Sequence, residues 1–245
     1  MMRIDAFGLH YRELNQIVRD AVAQGEREFE LVNVNGQRYI ADGITAPIKM
    51  DIYGVPGNDL AAFMSGPRIV VWNNAQDGIG NTMDDGEVVV HGHAGDVLGY
   101  GMRGGRLLIK GRVGYRVGIH MKEYMGKKPV LVAGGCARDF FGEYMAGGDL
   151  ILLGLERRDG EPLVGDYCAT GIHGGRIFLR GEFDEFAVMT ATAKICEATA
   201  EQMEEIRPHL EAFCKHFGAS MEEILAEPFF CIAPKSHRPY GAKYA

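Results

Sequence analysis

Residues 87–111 read EVVVHGHAGDVLGYGMRGGRLLIKG, which is one structural unit followed by the start of the next. The run Glu87–His91 ends at Gly92, and the run Arg106–Lys110 ends at Gly111, nineteen residues later. The three central residues of each run are aliphatic, and small and polar residues follow Gly92 as they would in a turn. A fixed period of this size is typical of one unit stacked many times. The sequence therefore predicts a solenoid.

The same pattern of a short apolar run closed by a small residue recurs on both sides of this stretch. Nineteen residues are too few for a strand and a helix in every repeat, but they can wrap once around a parallel β-helix. Alternate apolar residues within the runs are predicted to line its interior. We predict an all-β core, a right-handed parallel β-helix with a single-stranded repeat, of about seven coils over residues 46–181. Its strands are Ile48–Tyr53, Arg68–Trp72, Glu87–His91, Arg106–Lys110, Pro129–Gly134, Asp149–Gly154 and Arg176–Gly181.

The segments outside the repeat are predicted to close its two ends. Residues 1–45 contain helical spacing from Tyr11 to Val22 and the dipeptide Asn35-Gly36, which suits a tight hairpin turn, so we predict a helix-hairpin cap. Residues 182–245 are predicted to form a helical tail. Its apolar residues follow helical spacing from Ile195 to Phe217, interrupted near Pro208, and a short helix and an irregular end from Phe229 follow.

Composition limits the kinds of partner. The net charge of −7 argues against a nucleic acid or an anionic membrane surface, because both need clustered Lys and Arg. No secretory signal or long apolar span is recognisable, which predicts a cytoplasmic protein. The five cysteines are widely spaced, as expected for free thiols. Open strand edges at the ends of a β-helix also leave self-association as an expectation.

Three patterns could carry chemistry, and each has a structural alternative. Gly99–Gly104 matches G-x-G-x-x-G by letter, but a strand and not a helix follows it, which disfavours a dinucleotide site. His91, His93 and His120 could bind zinc if adjacent coils brought them together, although polar residues on the outer face are the simpler interpretation. Cys136 lies in a glycine turn that could expose a nucleophilic thiol, or it could fill a corner.

The densest group of functional side chains lies beside an insertion. It comprises Arg116, His120, Lys122, Glu123 and Tyr124, and the insertion spans residues 121–128. We predict that this group projects from the cylinder and contacts a partner. The residues by themselves therefore favour a structural or assembly role.

Five segments of the repeat resemble the GXGXG domain of glutamate synthase. They are Asn74–Gly78, Gly92–Asp96, Met102–Gly105, Gly114–His120 and Gly142–Gly148, within a match from about Ile44 to Gly181. In that family the domain is the C-terminal right-handed β-helix of the large subunit. The segment Asn33–Tyr39 resembles the stand-alone form found where the large subunit is split into separate polypeptides.

The resemblance implies a division of labour. In the complete enzyme one domain hydrolyses glutamine, and a second, with FMN and an iron–sulfur cluster, joins the ammonia to 2-oxoglutarate. The β-helix holds both in position and carries no catalytic residue. Met2 and not a cysteine follows Met1, and the cysteine cluster of the redox domain is absent. We therefore expect no catalytic, cofactor-binding or metal-binding residue here, and as partners a glutamine amidotransferase-type subunit and an FMN/iron–sulfur synthase subunit.

Related β-helices leave three alternatives open. Similar domains occur in formylmethanofuran dehydrogenase and in N-methylglutamate synthase-like assemblies, where the reaction served is different. The third alternative is a self-sufficient enzyme that uses Cys136 or the three histidines. The protein that co-purifies with the chain would separate them.

Overall fold

The glycine-bounded runs form parallel strands in a computed structural model that describes residues 1–189 and 191–237. The strands and helices, in chain order, are β1 (Met2–Asp5), α1 (Tyr11–Ala23), β2 (Glu28–Asn35), β3 (Lys49–Val55), β4 (Ser65–Val71), β5 (Asp85–Val90), β6 (Arg106–Ile109), β7 (Val130–Ala133), β8 (Ala146–Leu152), β9 (Gly174–Arg180), β10 (Ala193–Glu197), α2 (Ala200–Phe217), α3 (Met221–Leu225) and β11 (Phe229–Pro234). A single 3₁₀ turn, Glu185–Ala187, precedes β10.

The register of the strands reproduces the sequence period. Met50 lies beside Ile69, Ile69 beside Val88, and Val88 beside Leu107, so each step along the stack is one nineteen-residue repeat. Strands β1 to β9 are parallel neighbours in one sheet. The seven strands β3 to β9 correspond to the seven predicted coils, and the chain makes six turns between them. The predicted parallel β-solenoid is confirmed.

The solenoid interior is filled by alternate strand residues, as predicted. The inward pairs Val88/Val90, Leu107/Ile109, Leu150/Leu152 and Ile177/Leu179 are fully buried in one continuous apolar cluster. The residues between them, such as Val89, Leu108 and Ile151, are equally buried but belong to a second cluster on the outer face of the sheet. Both faces of β5 to β9 are therefore covered.

The predicted N-terminal helix is confirmed, but the hairpin is wrong. Helix α1 buries Leu14, Val18 and Ala21 against the end of the core. Strand β2 pairs in parallel with β3, and Gly36 donates its N–H to the Val55 carbonyl at 2.8 Å. The chain after Asn35-Gly36 thus bonds to the next coil and does not fold back on β2. Residues 28–45 form a further turn of the solenoid, because inter-coil hydrogen bonds outweigh the local turn preference.

The tail contains the predicted helices together with two strands. Helix α2 begins after a capping box formed by Thr199 and Gln202, runs through Pro208, and ends at Gly218 in the left-handed region with φ 70°. Ile195, predicted as helical, lies in β10. The stretch from Phe229, predicted as irregular, begins with β11, and residues 238–245 lie outside the described part of the chain.

The tail closes one end of the stack. Strand β11 pairs antiparallel with β9, and β10 pairs antiparallel with β11, which removes the open edge of the last solenoid strand. Helix α2 then returns across the outer face of β5 to β9, where Ile206, Leu210 and Phe213 pack into the second apolar cluster.

Polar contacts fix both ends of helix α2 on the sheet. Near its start Glu205 bonds Arg176 of β9 at 2.6 Å. Near its end the His216 Nε2 lies 3.1 Å from the Arg68 guanidinium and 3.4 Å from the Glu87 carboxylate. Among the described residues, no helix is long and apolar enough to cross a membrane.

Candidate functional site

Each turn of the solenoid has a corner built from three alternate left-handed residues. In one turn these are Arg116, Gly118 and His120, with φ angles of 55°, 75° and 57°. In the following turn Phe140, Gly142 and Tyr144 have φ angles of 63°, 72° and 50°. Hydrogen bonds between turns hold this conformation, because such strain persists only where the surroundings over-determine it. Arg116 N–H, for example, donates to the Asp139 carbonyl at 3.0 Å.

The three positions of a corner differ in the size of the side chain that they can accommodate. The middle residue faces the packed interior: a Cβ on Gly118 would lie 2.4 Å from Leu150 Cδ1, and one on Gly142 would lie 2.4 Å from Ile177 Cδ1. These middle positions are therefore glycine or alanine. The outer two positions accept large side chains, which explains why the repeat reads as G-x-G in some turns and carries arginine, histidine or aromatic residues in others.

We use the name aromatic corner for a row of three outer positions and the 3₁₀ turn beyond it. Its residues are Arg116, Phe140, Tyr167 and, from the 3₁₀ turn, Phe186. The Arg116 guanidinium lies 4.3 Å from the Phe140 ring centroid, and the Phe140 ring stacks on Tyr167 at 5.0 Å. Cys168 donates its N–H to the Ala187 carbonyl, so Phe186 lies in the next layer. Tyr167 is 50% exposed and Phe186 is 98% exposed. An arginine and three aromatic residues thus reach solvent in successive layers.

A second row of side chains lies beside the aromatic corner. We call it the histidine ladder, and it comprises Tyr100, His120 and Tyr144. His120 stacks on Tyr144 with ring centroids 5.6 Å apart and meets the edge of Tyr100 at 5.7 Å. Glu143, beside Tyr144, is 7% exposed and forms an ion pair with Arg116. This pair links the two rows, because Arg116 belongs to the aromatic corner and Glu143 adjoins the histidine ladder.

The insertion after His120 contributes a third exposed surface. The ring centroid of Tyr124 lies 5.5 Å from Cζ of Arg103 and 5.6 Å from Nζ of Lys122. Glu123 accepts a hydrogen bond from Gly148 N–H at 3.2 Å and so anchors the insertion to β8. Met125 is 82% exposed. Of the five predicted contact residues, Arg116, His120, Lys122 and Tyr124 present side chains outward, whereas Glu123 fixes the loop.

The structure does not bring the three candidate zinc histidines together. His91 stacks on Trp72 at 4.2 Å and meets Phe217 of α2. His93 Nδ1 accepts a hydrogen bond from Arg112 N–H at 3.0 Å, and His120 lies in the histidine ladder. Across residues 1–189 and 191–237, no three His, Cys, Asp or Glu side chains lie close enough to hold a metal ion.

Cys136 lies against a cavity of about 210 Å³ that the Arg112–Glu161 ion pair also lines. Burial raises the pKa of its thiol, and Glu161 raises the pKa further, although Arg112 opposes both effects. Cys136 is 6% exposed. Because the thiolate is the reactive form, a raised pKa and a buried sulfur disfavour nucleophilic chemistry at this position.

Three residues of the aromatic corner were missed by sequence reasoning. Phe140 and Tyr167 occupy the positions equivalent to Arg116, but the insertions lengthen the spacing between equivalent residues from 19 to as many as 27. Phe186 lies in the 3₁₀ turn that follows the last solenoid strand. Aligning the turns on their middle glycine or alanine, Gly118, Gly142 and Ala169, would have identified Phe140 and Tyr167 as outward-facing.

Comparisons with known proteins agree with this architecture. The family model described as the GXGXG motif matches residues 20–235. An uncharacterized protein from Methanocaldococcus jannaschii is 51% identical over 249 residues, which cover 98% of this chain and 95% of the relative. Among solved structures, a chain of the formyltransferase/hydrolase complex from Methylorubrum extorquens, crystallised with methylofuran, has a TM-score of 0.61 at 17% identity. The match covers 92% of this chain and 88% of that one. At this identity the likeness is one of fold.

Proposed function

Because this chain belongs to the GXGXG motif family, we propose that it is a non-catalytic assembly subunit of a glutamate-synthase-type complex. In this role it binds a glutamine amidotransferase-type subunit and an FMN/iron–sulfur synthase subunit and holds them in fixed relative positions. The complex forms two molecules of glutamate from glutamine and 2-oxoglutarate, and an external donor supplies the two electrons through the FMN/iron–sulfur subunit. The proposal rests on the segments that resemble the glutamate synthase β-helix together with the chemistry of the surface.

The observation that carries the proposal is the composition of the solenoid corner. Interfaces are enriched in Tyr, Phe, Met and Arg, and the residues that dominate binding energy are most often Trp, Tyr and Arg. The aromatic corner and the insertion expose Arg116, Tyr167, Phe186, Tyr124 and Met125 on adjacent turns. The side chains of Arg116, Tyr167 and Tyr124 are held by an ion pair, ring stacking and a cation–π contact, respectively, so they lose little conformational entropy on binding.

The remaining side chains support a structural role. Several ion pairs join neighbouring strands or join the sheet to helix α2, such as Arg176 with Asp149 and Glu205. Cys136 is buried with a raised pKa, and the three histidines have separate partners. A scaffold whose catalytic groups belong to its partners accounts for this pattern.

A second candidate function is a subunit of a formyltransferase/hydrolase-type complex. The likeness of fold to a chain of the Methylorubrum extorquens complex favours it, since that chain is also part of a multi-subunit assembly. At 17% identity the likeness carries the fold and leaves the partner to experiment.

Isolation of the native complex tests both candidates. The full chain, tagged at one end, is purified from its own cells, and the bound polypeptides are identified by mass spectrometry. We expect an amidotransferase-type polypeptide and a flavin-containing polypeptide in constant ratio to the chain. Recovery of formyltransferase-type polypeptides without flavin would favour the second candidate. A chain purified alone, with its own flavin absorbance or glutaminase activity, would contradict the assembly role.

A further inference from the structure

Two cysteines lie directly opposite each other in the antiparallel ribbon that closes the solenoid. Cys196 of β10 is the register partner of Cys231 of β11. All five cysteines are free thiols, and of them only Cys196 is exposed. Cys231 lies beneath the start of helix α2, where Gln202 Nε2 donates to its Sγ at 3.6 Å.

The register places the Cα atoms of the two cysteines within the range that a disulfide requires. Ala198 N–H donates to the Phe229 carbonyl at 2.8 Å, and hydrogen-bonded pairs alternate along an antiparallel ribbon, so Cys196 and Cys231 also form a hydrogen-bonded pair. The Cα atoms of such a pair are about 5.5 Å apart, which lies within the range of roughly 4.4–6.8 Å seen in disulfides. Their side chains project from the same face of the ribbon, because directly opposite residues share a face.

We propose that Cys196 and Cys231 form a reversible thiol–disulfide site whose co-reactant is a low-molecular-weight disulfide. Cys196, the exposed thiol, loses its proton and attacks one sulfur of the small disulfide. The S–S bond of the small molecule breaks, one half leaves as a thiolate and takes up a proton, and Cys196 holds the other half as a mixed disulfide. Cys231 then loses its proton and attacks Cys196 Sγ. The second half leaves as a thiol, and the Cys196–Cys231 bond forms.

The reaction is balanced, and the two cysteines react in a defined order. Two protein thiols are oxidised, one small disulfide is reduced to two thiols, and the two protons pass from the protein to those products. Burial raises the pKa of Cys231 to about 11, so this residue is a poor first attacker and acts only once the mixed disulfide is beside it. Burial also raises the pKa of Cys168 to about 12, and Cys168 has no cysteine opposite it in a strand pair.

The bond would join the two strands that close the solenoid. The covalent loop between residues 196 and 231 contains all of α2 and α3. Cross-linking a loop of this length restricts the unfolded chain, and so oxidation stabilises the closed end and the helix packed on it. The site would tie the docking of helix α2 to the redox state of the surroundings.

Thiol counting on the full, folded chain tests the proposal. The protein is incubated with excess oxidised glutathione, denatured, alkylated and mapped by mass spectrometry. We expect two thiols to be lost from the original five, a peptide pair linked through Cys196 and Cys231, and a melting temperature raised by roughly 5–10 °C. Dithiothreitol should restore all five thiols and the original melting temperature.

Variants separate this pair from the other cysteines. Cys196→Ser, a change at an exposed position, should abolish both the linked peptide and the shift in melting temperature. The matched change Cys214→Ser in helix α2 should preserve both. Cys231→Ser should accumulate glutathione on Cys196. The proposal is overturned if the treated wild-type protein keeps five alkylatable thiols, retains a stable mixed disulfide at Cys196 beside free Cys231, or links a different pair.

Discussion

The guanidinium of Arg116 lies 4.3 Å from the ring centroid of Phe140 in the following turn, and both residues have left-handed backbone conformations. This contact begins the aromatic corner, in which equivalent outer positions of successive turns present side chains to solvent. The middle position of the same corner is restricted to glycine or alanine by the packed interior. In each corner the middle residue must therefore be small, whereas the two outer residues can vary and form the surface.

Phe186 is expected to be an energetically important contact of the aromatic corner. Phe186→Ala removes a side chain that is 98% exposed, so the stability of the chain alone should change by less than about 0.5 kcal/mol. Loss of one aromatic contact typically weakens an interface by about 1–3 kcal/mol, or roughly 5- to 150-fold in Kd. Titration calorimetry against the purified partner subunit measures the effect.

A matched control exists at the other end of the molecule. Phe7, in the turn after β1, is 82% exposed and lies outside the aromatic corner. Phe7→Ala should leave the partner affinity unchanged within twofold. Equal losses for the two variants, or no loss for Phe186→Ala, would exclude the aromatic corner as the contact surface.

Gly148 is predicted to be irreplaceable for reasons of space as well as conformation. Its φ is 91°, and an added Cβ would lie 2.4 Å from the carbonyl oxygen of Pro129, the residue before the neighbouring strand β7. Backbone atoms of a packed sheet have little freedom to move, so Gly148→Ala should cost at least about 3 kcal/mol of unfolding free energy. Urea denaturation measures this difference.

A substitution at Gly160 separates the cost of backbone conformation from the cost of limited space. It has φ 73°, and no atom lies within 4 Å of an added Cβ. Gly160→Ala should therefore cost only the backbone strain of about 1–2 kcal/mol. If the two variants lose the same stability, close approach between coils is not what selects glycine at position 148.

Helix α2 is expected to be an integral part of the fold. Phe213 is 1% exposed and packs on the outer face of the sheet, so Phe213→Ala should lower the unfolding free energy by about 3–5 kcal/mol. It should also increase aggregation, because the apolar outer face of β6 to β8 becomes accessible. Glu211→Ala, an exposed change in the same helix, should have an effect below about 0.5 kcal/mol. A fully soluble Phe213→Ala protein of wild-type stability would contradict this packing.

The contact between helix α2 and the sheet is predicted to weaken in mild acid. Burial lowers the pKa of His91, His209 and His216, all of which lie at this contact. A histidine with a folded-state pKa below its unfolded value of about 6.5 binds more protons when unfolded. Stability is therefore complete above about pH 6.5 and declines as the pH falls through the folded-state values.

A thermal denaturation series between pH 7.5 and 5 measures this effect. The decline should be smaller in His209→Gln, which removes one of the titrating groups, and unchanged in the exposed control His237→Gln. The carboxylate of Glu87 contributes to the pH dependence of stability in a lower pH range. Burial raises its pKa, but the hydrogen bond and charge of Arg106 lower it more, so this contribution is lost only below about pH 4.5. A melting temperature that is constant from pH 7.5 to 5 would contradict the interpretation.

The period of the repeat was sufficient to predict the strands and the interior. Val88 and Val90 alternate because a strand has a repeat of two, and the nineteen-residue step fixes which strands are neighbours. The same reasoning failed at Asn35-Gly36, where local turn preference competes with hydrogen bonds to a segment distant in sequence. The sequence alone does not report the strength of those bonds.

The surface was harder to predict than the core. The amphipathic pattern of helix α2 was visible, but its binding face on the sheet was not recognised, although Val88, Val89 and Val90 are all apolar, as expected of a strand covered on both faces. Arg116 was identified from its neighbours in sequence, whereas Phe140 and Tyr167 join it only through stacking. Insertions of variable length conceal such equivalence until the turns are superposed.

Reconstitution tests the central claim, that this chain assembles an enzyme whose catalytic groups belong to other subunits. The amidotransferase-type and flavin-containing subunits are assayed with an added electron donor for glutamine-dependent glutamate formation, with and without the full chain. We expect the chain alone to be inactive, and its addition to raise the coupled rate at least tenfold while leaving ammonia-dependent synthesis unchanged. Coupled activity that is the same without the chain, or glutaminase activity in the chain alone, would contradict the account.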